Sequence, residues 1–358
     1  MCMNSCFDPS IDPPGDRAFE SLRHAVQCNC HISDARHAGN YSLCIYLLKM
    51  RELFRWEQGF ALSDSLPHDP VGAWLSEREA LWDDLAEAAY ARLPVYGDRL
   101  DPFDAEAINE ALLPRGLVYG GGLGPGGKPL FFLGTLLRDE TRDGLRVLLT
   151  DDEHARDLTA PPAMLRGKTI TVRRQSLRRM LWERVESSQW QRHEGSLLAD
   201  VIRSYGMAET PEQALDRMTD DEIETVVQHE LGEAWAGERL GDEWEVMLAD
   251  LGRSRAEFLA RAVRDHLADC RTTLPSLLGR KDDRSLRLYL GGLDGLRKEL
   301  FPRLLRIGTD DTDALRDAAA IGVEHWEATA QAMLETWREH GSSAASDITA
   351  RAESAALN

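Results

Sequence analysis

Apolar residues recur at helical spacing from Asp16 onward, with Phe19, Leu22 and Val26 on one stripe, so a first helix is expected to run from there to a stop at Gly39-Asn40. Tyr41 to Glu57 carries Leu43, Ile45, Tyr46, Leu47, Leu48, Met50, Leu53, Phe54 and Trp56, and a helix so apolar should have most of its circumference covered. Ser76-Glu-Arg-Glu79 reads as a capping box opening a helix to about Arg92, and Asp101-Pro102 as the start of a helix ending near Leu113. The pattern then shortens. Leu117 to Gly120, Pro129 to Leu137, Gly144 to Thr150 and Lys168 to Arg173 look like strands, with a Gly-rich turn over 120–127.

Helical spacing returns with a long segment from about Gln175 to Tyr205 that could bend at Gly195. Thr210-Pro211, Thr219-Asp-Asp-Glu222 and Ser254-Arg-Ala-Glu257 read as further helix starts, and a last helix is expected from Thr312 to His340 with Gly341 as its stop. The fold class these elements predict is mainly α, with a small antiparallel β-sheet of three to four strands inserted near the middle. The expected organisation is a flexible N-terminal arm (1–15), an N-terminal helical part (16–115), the β element (116–174), a C-terminal helical domain (175–341) and a Ser/Ala-rich disordered tail (342–358).

Charge narrows the partners. Forty-two basic against 61 acidic residues leave a net charge of −19, which opposes attraction to phosphate backbones and anionic lipid, so no nucleic-acid or membrane partner is expected. The longest apolar runs, such as Leu130 to Leu137, are far short of a bilayer span, and the start lacks the basic and apolar segments of a signal peptide. A cytoplasmic location follows as the expectation. Six cysteines in 358 residues are too sparse for a disulfide scaffold.

Two helices break the rule of apolar faces. The stripe Ile223, Val226, Val227, Leu231, Ala234 has Glu230 near its middle, and the stripe Phe258, Leu259, Ala262, Val263, Leu267, Cys270 has His266 near its centre. A buried carboxylate needs a proton, a cation or a metal as partner. His229 and Glu233 stand one turn apart, a spacing that lets two side chains hold one ion. His229-Glu230-Leu-Gly-Glu233 looks like the zinc-peptidase helix His-Glu-x-x-His with its second His replaced by Glu, a departure that argues against peptidase activity. His, Glu and open coordination could instead bind a divalent metal, iron, manganese or zinc, and activate water or oxygen. The competing account is a salt-bridged helix with a His at its edge.

The densest ligand stretch is Cys28-Asn-Cys30-His31-Ile-Ser-Asp34-Ala-Arg-His37, but Cys30 and His37 extend the inward stripe whereas His31 points elsewhere, and the Cys spacing is not that of a zinc site. His37 with Glu57, which lies on the Leu43-Leu47-Met50-Phe54 stripe, could join an inward-facing metal site; a hydrogen-bonded core histidine is the alternative. His68-Asp69, bracketed by Pro67 and Pro70, reads as a loop. Arg173, Arg174 and Arg178 belong to a basic run that could take an anion or pair with local acids.

Asn29 to His37, Ala160-Pro-Pro-Ala-Met164 and Arg178-Arg-Met-Leu-Trp-Glu183 resemble stretches of a bacterial family of conserved hypothetical proteins, a likeness that covers most of the chain after residue 15. That resemblance implies a bacterial cytoplasmic origin and no assigned activity. The residues themselves point to a metal-dependent enzyme acting on a small-molecule substrate. Glu230 would be its ligand or base, and His229, Glu233 and His266 its metal ligands, with His37 and Glu57 as further candidates to join them. The competing class is a noncatalytic helical interaction protein with a protein partner and a buried Glu-His or Glu-Arg pair.

Overall fold

The computed structural model describes residues 14–124, 127–191 and 196–358, so residues 1–13 of the arm expected over 1–15, and the expected bend at Gly195, lie outside the described residues, while residues 14 and 15 begin the first helix. The chain divides into two compact units: residues up to Phe60 with Ser65–Leu137 and Asp151–Ala160, and Ala61–Asp64 with Arg138–Thr150 and Pro161–Asn358. It is mainly helical with a small β element, as its periodicities imply.

In the first unit α1 (Pro14–His37) opens with Pro at its first position and buries Leu22, Val26 and Cys30 at i, i+4 spacing. The polar residues of its second half fasten backbone. Asn29 exchanges two hydrogen bonds with the main chain of Ala91, the Cys30 thiol donates to the Phe131 carbonyl at 3.2 Å, and the Ser33 hydroxyl donates to the Pro129 carbonyl. Next, α2 (Leu43–Glu57) departs from expectation. It is buried from Met50 onward, whereas Leu43, Ile45, Leu47 and Leu48 are exposed, Leu43 by 70%. Its apolar content marks an uncovered end, because pattern reveals which residues avoid water and not whether a neighbour is present.

The third helix, α3 (His68–Leu85), begins eight residues before the Ser76 capping box, and His68-Asp69 forms its first turn instead of a loop. Pro70 is harmless there because first-turn N–H groups have no helical acceptor. The strands β1 (Leu93–Val95) and β2 (Asp98–Leu100) pair through Tyr96-Gly97, both at positive φ as a two-residue hairpin turn requires, and this hairpin occupies chain that follows the helix expected to reach Arg92. After it α4 (Ala105–Leu112) starts three residues beyond Pro102, where Asp104 caps the Ala107 N–H.

The glycines at 120–122 belong to a strand, β3 (Leu117–Leu123), rather than to a turn. A Cβ on Gly120 would stand 2.1 Å from the Phe132 ring, so the pairing of β3 with β4 (Pro129–Arg142) depends on bare backbone there. The long strands β4 and β5 (Leu145–Arg156) pass through both units. With β6 (Ala163–Arg166) and β7 (Thr169–Arg173) they complete a sheet of order β3-β4-β5-β7-β6. It has five strands where three or four were expected, and β5 and β7 run parallel.

In the second unit α5 (Arg174–Gln191) and α6 (Leu197–Ser204) precede α7 (Pro211–Leu240), which starts at Pro211 as its sequence signals. It does not restart at Thr219, whose hydroxyl donates to the Leu215 carbonyl within the continuing helix. Then come α8 (Asp242–Leu251) and α9 (Arg255–Ala268), the latter capped by Ser254. A π-helical turn over Asp269–Thr273 leads from α9 into α10 (Leu274–Leu278). Short helices α11 (Arg284–Gly291), α12 (Gly295–Leu300) and α13 (Pro302–Ile307) lead to α14 (Thr312–His340), stopped by Gly341 at positive φ. The expected disordered tail is instead α15 (Ala345–Ser354), because Ala344, Ile348 and Ala352 form one i, i+4 stripe that is fully buried. Trp244, Val263, Phe301, Trp326 and Met333 fill the same core. Among the described residues no helix is long and apolar enough to cross a membrane.

Candidate metal centre

Gly232 sets the geometry of α7 against α9. A Cβ at that position would meet the Ala268 carbonyl oxygen and the Thr272 hydroxyl at 2.5 Å each, so the two backbones approach as only glycine permits. On the adjoining face of α7, His229 and Glu233 lie one turn apart with Nε2 and Oε1 separated by 3.8 Å. Asp265 of α9 completes a group in which one donor atom from each of the three lies within 4.8 Å of the others. One imidazole and two carboxylates can coordinate a metal ion, and this mixture of N and O donors suits iron, manganese or zinc better than a soft ion. His229 and Glu233 keep 28% and 22% of their side chains exposed, so the cluster can be reached from solvent.

The surroundings are acidic. Asp269, at the start of the π-helical turn, accepts a 2.8 Å hydrogen bond from His229 Nδ1 through Oδ1, and its Oδ2 accepts from Tyr289 at 2.9 Å and from Arg297. Arg264 donates to Glu233 at 3.1 Å and to Glu245 at 2.9 Å. Glu230 is buried, with no hydrogen bond or ion pair among the described residues. Four carboxyl groups, Glu230, Glu233, Asp265 and Asp269, thus face two arginines and one imidazole. Burial opposes a charge on His229, but Asp269 and then Glu233 and Asp265 override it and push its pKa up to about 10. Burial pushes Glu230 up to about 7 and raises Asp265, while Arg297 and then His229 overcome burial and hold Asp269 below the usual carboxylate range.

The expected site is brought together in part. His229 and Glu233 share one face of α7, with Glu230 close enough to feel both charges; His266 does not join them. Its ring is fully buried, stacks 5.2 Å from Trp326, and hydrogen-bonds the Arg297 carbonyl oxygen through Nε2 at 2.9 Å. Burial lowers its pKa to about 3, leaving a neutral core histidine. The inward phase of His266 is correct, but inward on α9 at that position means the aromatic core.

His37 and Glu57 belong to the first unit and have partners there. His37 Nδ1 donates to the Ser33 carbonyl at 2.9 Å, and Glu57 accepts from Trp74 at 2.8 Å and Arg78 at 2.6 Å. Beside them Arg78 donates to His31 Nε2 at 2.6 Å, and Lys128 donates to Asp34 at 2.7 Å and to Thr159 at 2.9 Å. Of the basic run, Arg174 pairs with Asp220 and Asp216, Arg178 with Asp216 and Glu212, and Arg173 is fully buried. The charges of Arg174 and Arg178 are directed to acids of the same unit. Sequence reasoning missed Asp265 and Asp269; the available signal was two carboxylates at i, i+4 flanking His266.

Fold and cluster together define a mainly helical protein with a carboxylate-rich centre able to coordinate a metal ion. Residues 21–173 match the N-terminal domain, and residues 178–355 the C-terminal domain, of a family of unknown function, DUF6866, and the chain belongs to that family. No curated protein and no solved structure matches it.

Proposed function

We propose that the protein is a metal-dependent enzyme whose centre is His229, Glu233 and Asp265, with Glu230 as the base that takes up a proton from substrate or water. The observation that carries this reading is the donor set: one donor atom each of His229, Glu233 and Asp265 lies within 4.8 Å of the others, in a pocket of carboxyl groups that includes Glu230 and Asp269. A divalent ion would balance the site and let His229 present a neutral Nε2. Buried like charges are costly unless a cation offsets them. Bound there, the ion would supply Lewis-acid activation of a small-molecule substrate or of water, or redox chemistry if it is iron. Glu230 is suited to proton transfer because it is buried, without a donor, and one residue from His229.

Elemental analysis of untagged protein tests the proposal. Near-stoichiometric iron, manganese or zinc in the wild type, lost in Glu233→Gln and Asp265→Asn variants that remain folded, is the expected result. Metal-free protein after growth in metal-replete medium, with a melting temperature indifferent to chelator, would sink the proposal in favour of a noncatalytic helical interaction protein.

A further inference from the structure

Asp269 is 1% exposed, and its two oxygens have different tasks. Oδ1 accepts from His229 Nδ1 at 2.8 Å, while Oδ2 is held by the Tyr289 hydroxyl at 2.9 Å and by the Arg297 guanidinium. The carboxylate is therefore fixed in place and cannot swing round to become a ligand. Its neighbour Asp265, one turn earlier, belongs to the cluster itself. From Asp269 onward the helix widens into the π-helical turn Asp269–Thr273, a device that recurs at functional sites because it re-aims side chains without ending a helix. Gly232 supplies the other half of the arrangement, since any Cβ there would push α7 off Ala268, just before that turn, and off Thr272 within it.

We propose that Asp269 is the positioning residue of the centre: its hydrogen bond keeps the proton on His229 Nδ1, so that Nε2 is the nitrogen offered toward Glu233 and Asp265. Tyr289 and Arg297 act one step further out by fixing Asp269. A carboxylate behind a ligating histidine sets both ring orientation and tautomer, and its loss typically weakens metal affinity by about 10- to 100-fold. The inference rests on the metal reading of the cluster and adds to it which nitrogen binds and what holds it.

The test uses full-length protein stripped of metal, with cobalt(II) as the probe and its visible absorption as the signal. Asp269→Asn should bind cobalt about 10- to 100-fold more weakly than wild type while the metal-free proteins stay equally folded. Zinc-loaded wild type carrying nitrogen-15 histidine should show His229 with Nδ1 protonated and Nε2 on the metal, a signature that a purely structural role would not produce. That spectrum decides the matter even if Asp269→Asn fails to fold. Equal cobalt affinity in the folded variant, or metal on Nδ1, would overturn the positioning role and leave the metal centre standing. A wild type that takes up no cobalt would overturn both.

Discussion

The two units bury charge in opposite ways. In the first, the cations sit on acids: Lys128 on Asp34, and Arg78 on Glu57 while it also donates to a neutral His31. In the second, His229, Glu230, Glu233, Asp265 and Asp269 leave acids in excess of the cations beside them. A balanced network holds backbone in place, here the segment 157–160, where the Leu158 N–H donates to Asp34 at 2.8 Å and the Thr159 hydroxyl accepts from Lys128. An unbalanced one pays for its repulsion only if something else arrives. Buried ionic groups alone therefore do not mark a functional site; the sign and size of the remainder do.

The largest effect that would separate the two cases comes from Lys128→Met. It strands the fully buried Asp34 and should cost roughly 3 to 5 kcal/mol, read as a lowered urea midpoint. An unchanged midpoint would mean that Asp34 is protonated and the pairing is idle. Acid comes next. Burial and then Arg78 lower the His31 pKa from 6.5 to about 3, so as pH falls below 6.5 the unfolded chain takes up a proton that the folded one refuses. Stability present above pH 6.5 should drop by about 2 kcal/mol at pH 5 on this account, and His31→Gln should remove that part of the slope. The same loss in both proteins would assign the acid sensitivity elsewhere.

Smaller effects are expected where charge is in excess. Glu230→Gln removes a charge that has no donor, so the metal-free protein should hold its stability or gain on the order of 1 kcal/mol. A loss as large as that expected for Lys128→Met would make Glu230 part of a balanced network and erase the contrast. Smallest of all, Arg178→Ala should change stability by less than about 1 kcal/mol, because its acid partners Glu212 and Asp216 are partly exposed to solvent.

What the sequence reveals is set by distance along the chain. The i, i+4 pair His229 and Glu233 is legible because helix geometry alone brings the two side chains together, and the Pro211 start and Gly341 stop are legible because they act on their own helices. Asp265 and Asp269 meet His229 across α7 and α9, through a close approach at Gly232 that periodicity does not encode. His266 shows the same boundary from the other side: its phase is local and legible, its neighbours Trp326 and Phe301 are not. Composition misled at both ends of the scale, with α2 apolar yet partly uncovered and α15 small and polar yet anchored by Ile348.

The route of the backbone has a consequence for synthesis on the ribosome. The first unit receives its last residue at Ala160, whereas the second joins Ala61–Asp64 and Arg138–Thr150 to residues Pro161–Asn358. Residues 146–150 of β5 must wait for residues 169–173 of β7 before their parallel ladder can close, and His229 waits longer still for Asp265. Parallel pairing and late partners are slow steps for a nascent chain. The early unit can thus close while the late one is still being made, and a truncation at residue 160 would leave residues 146–150 of β5 without the β7 strand they pair with.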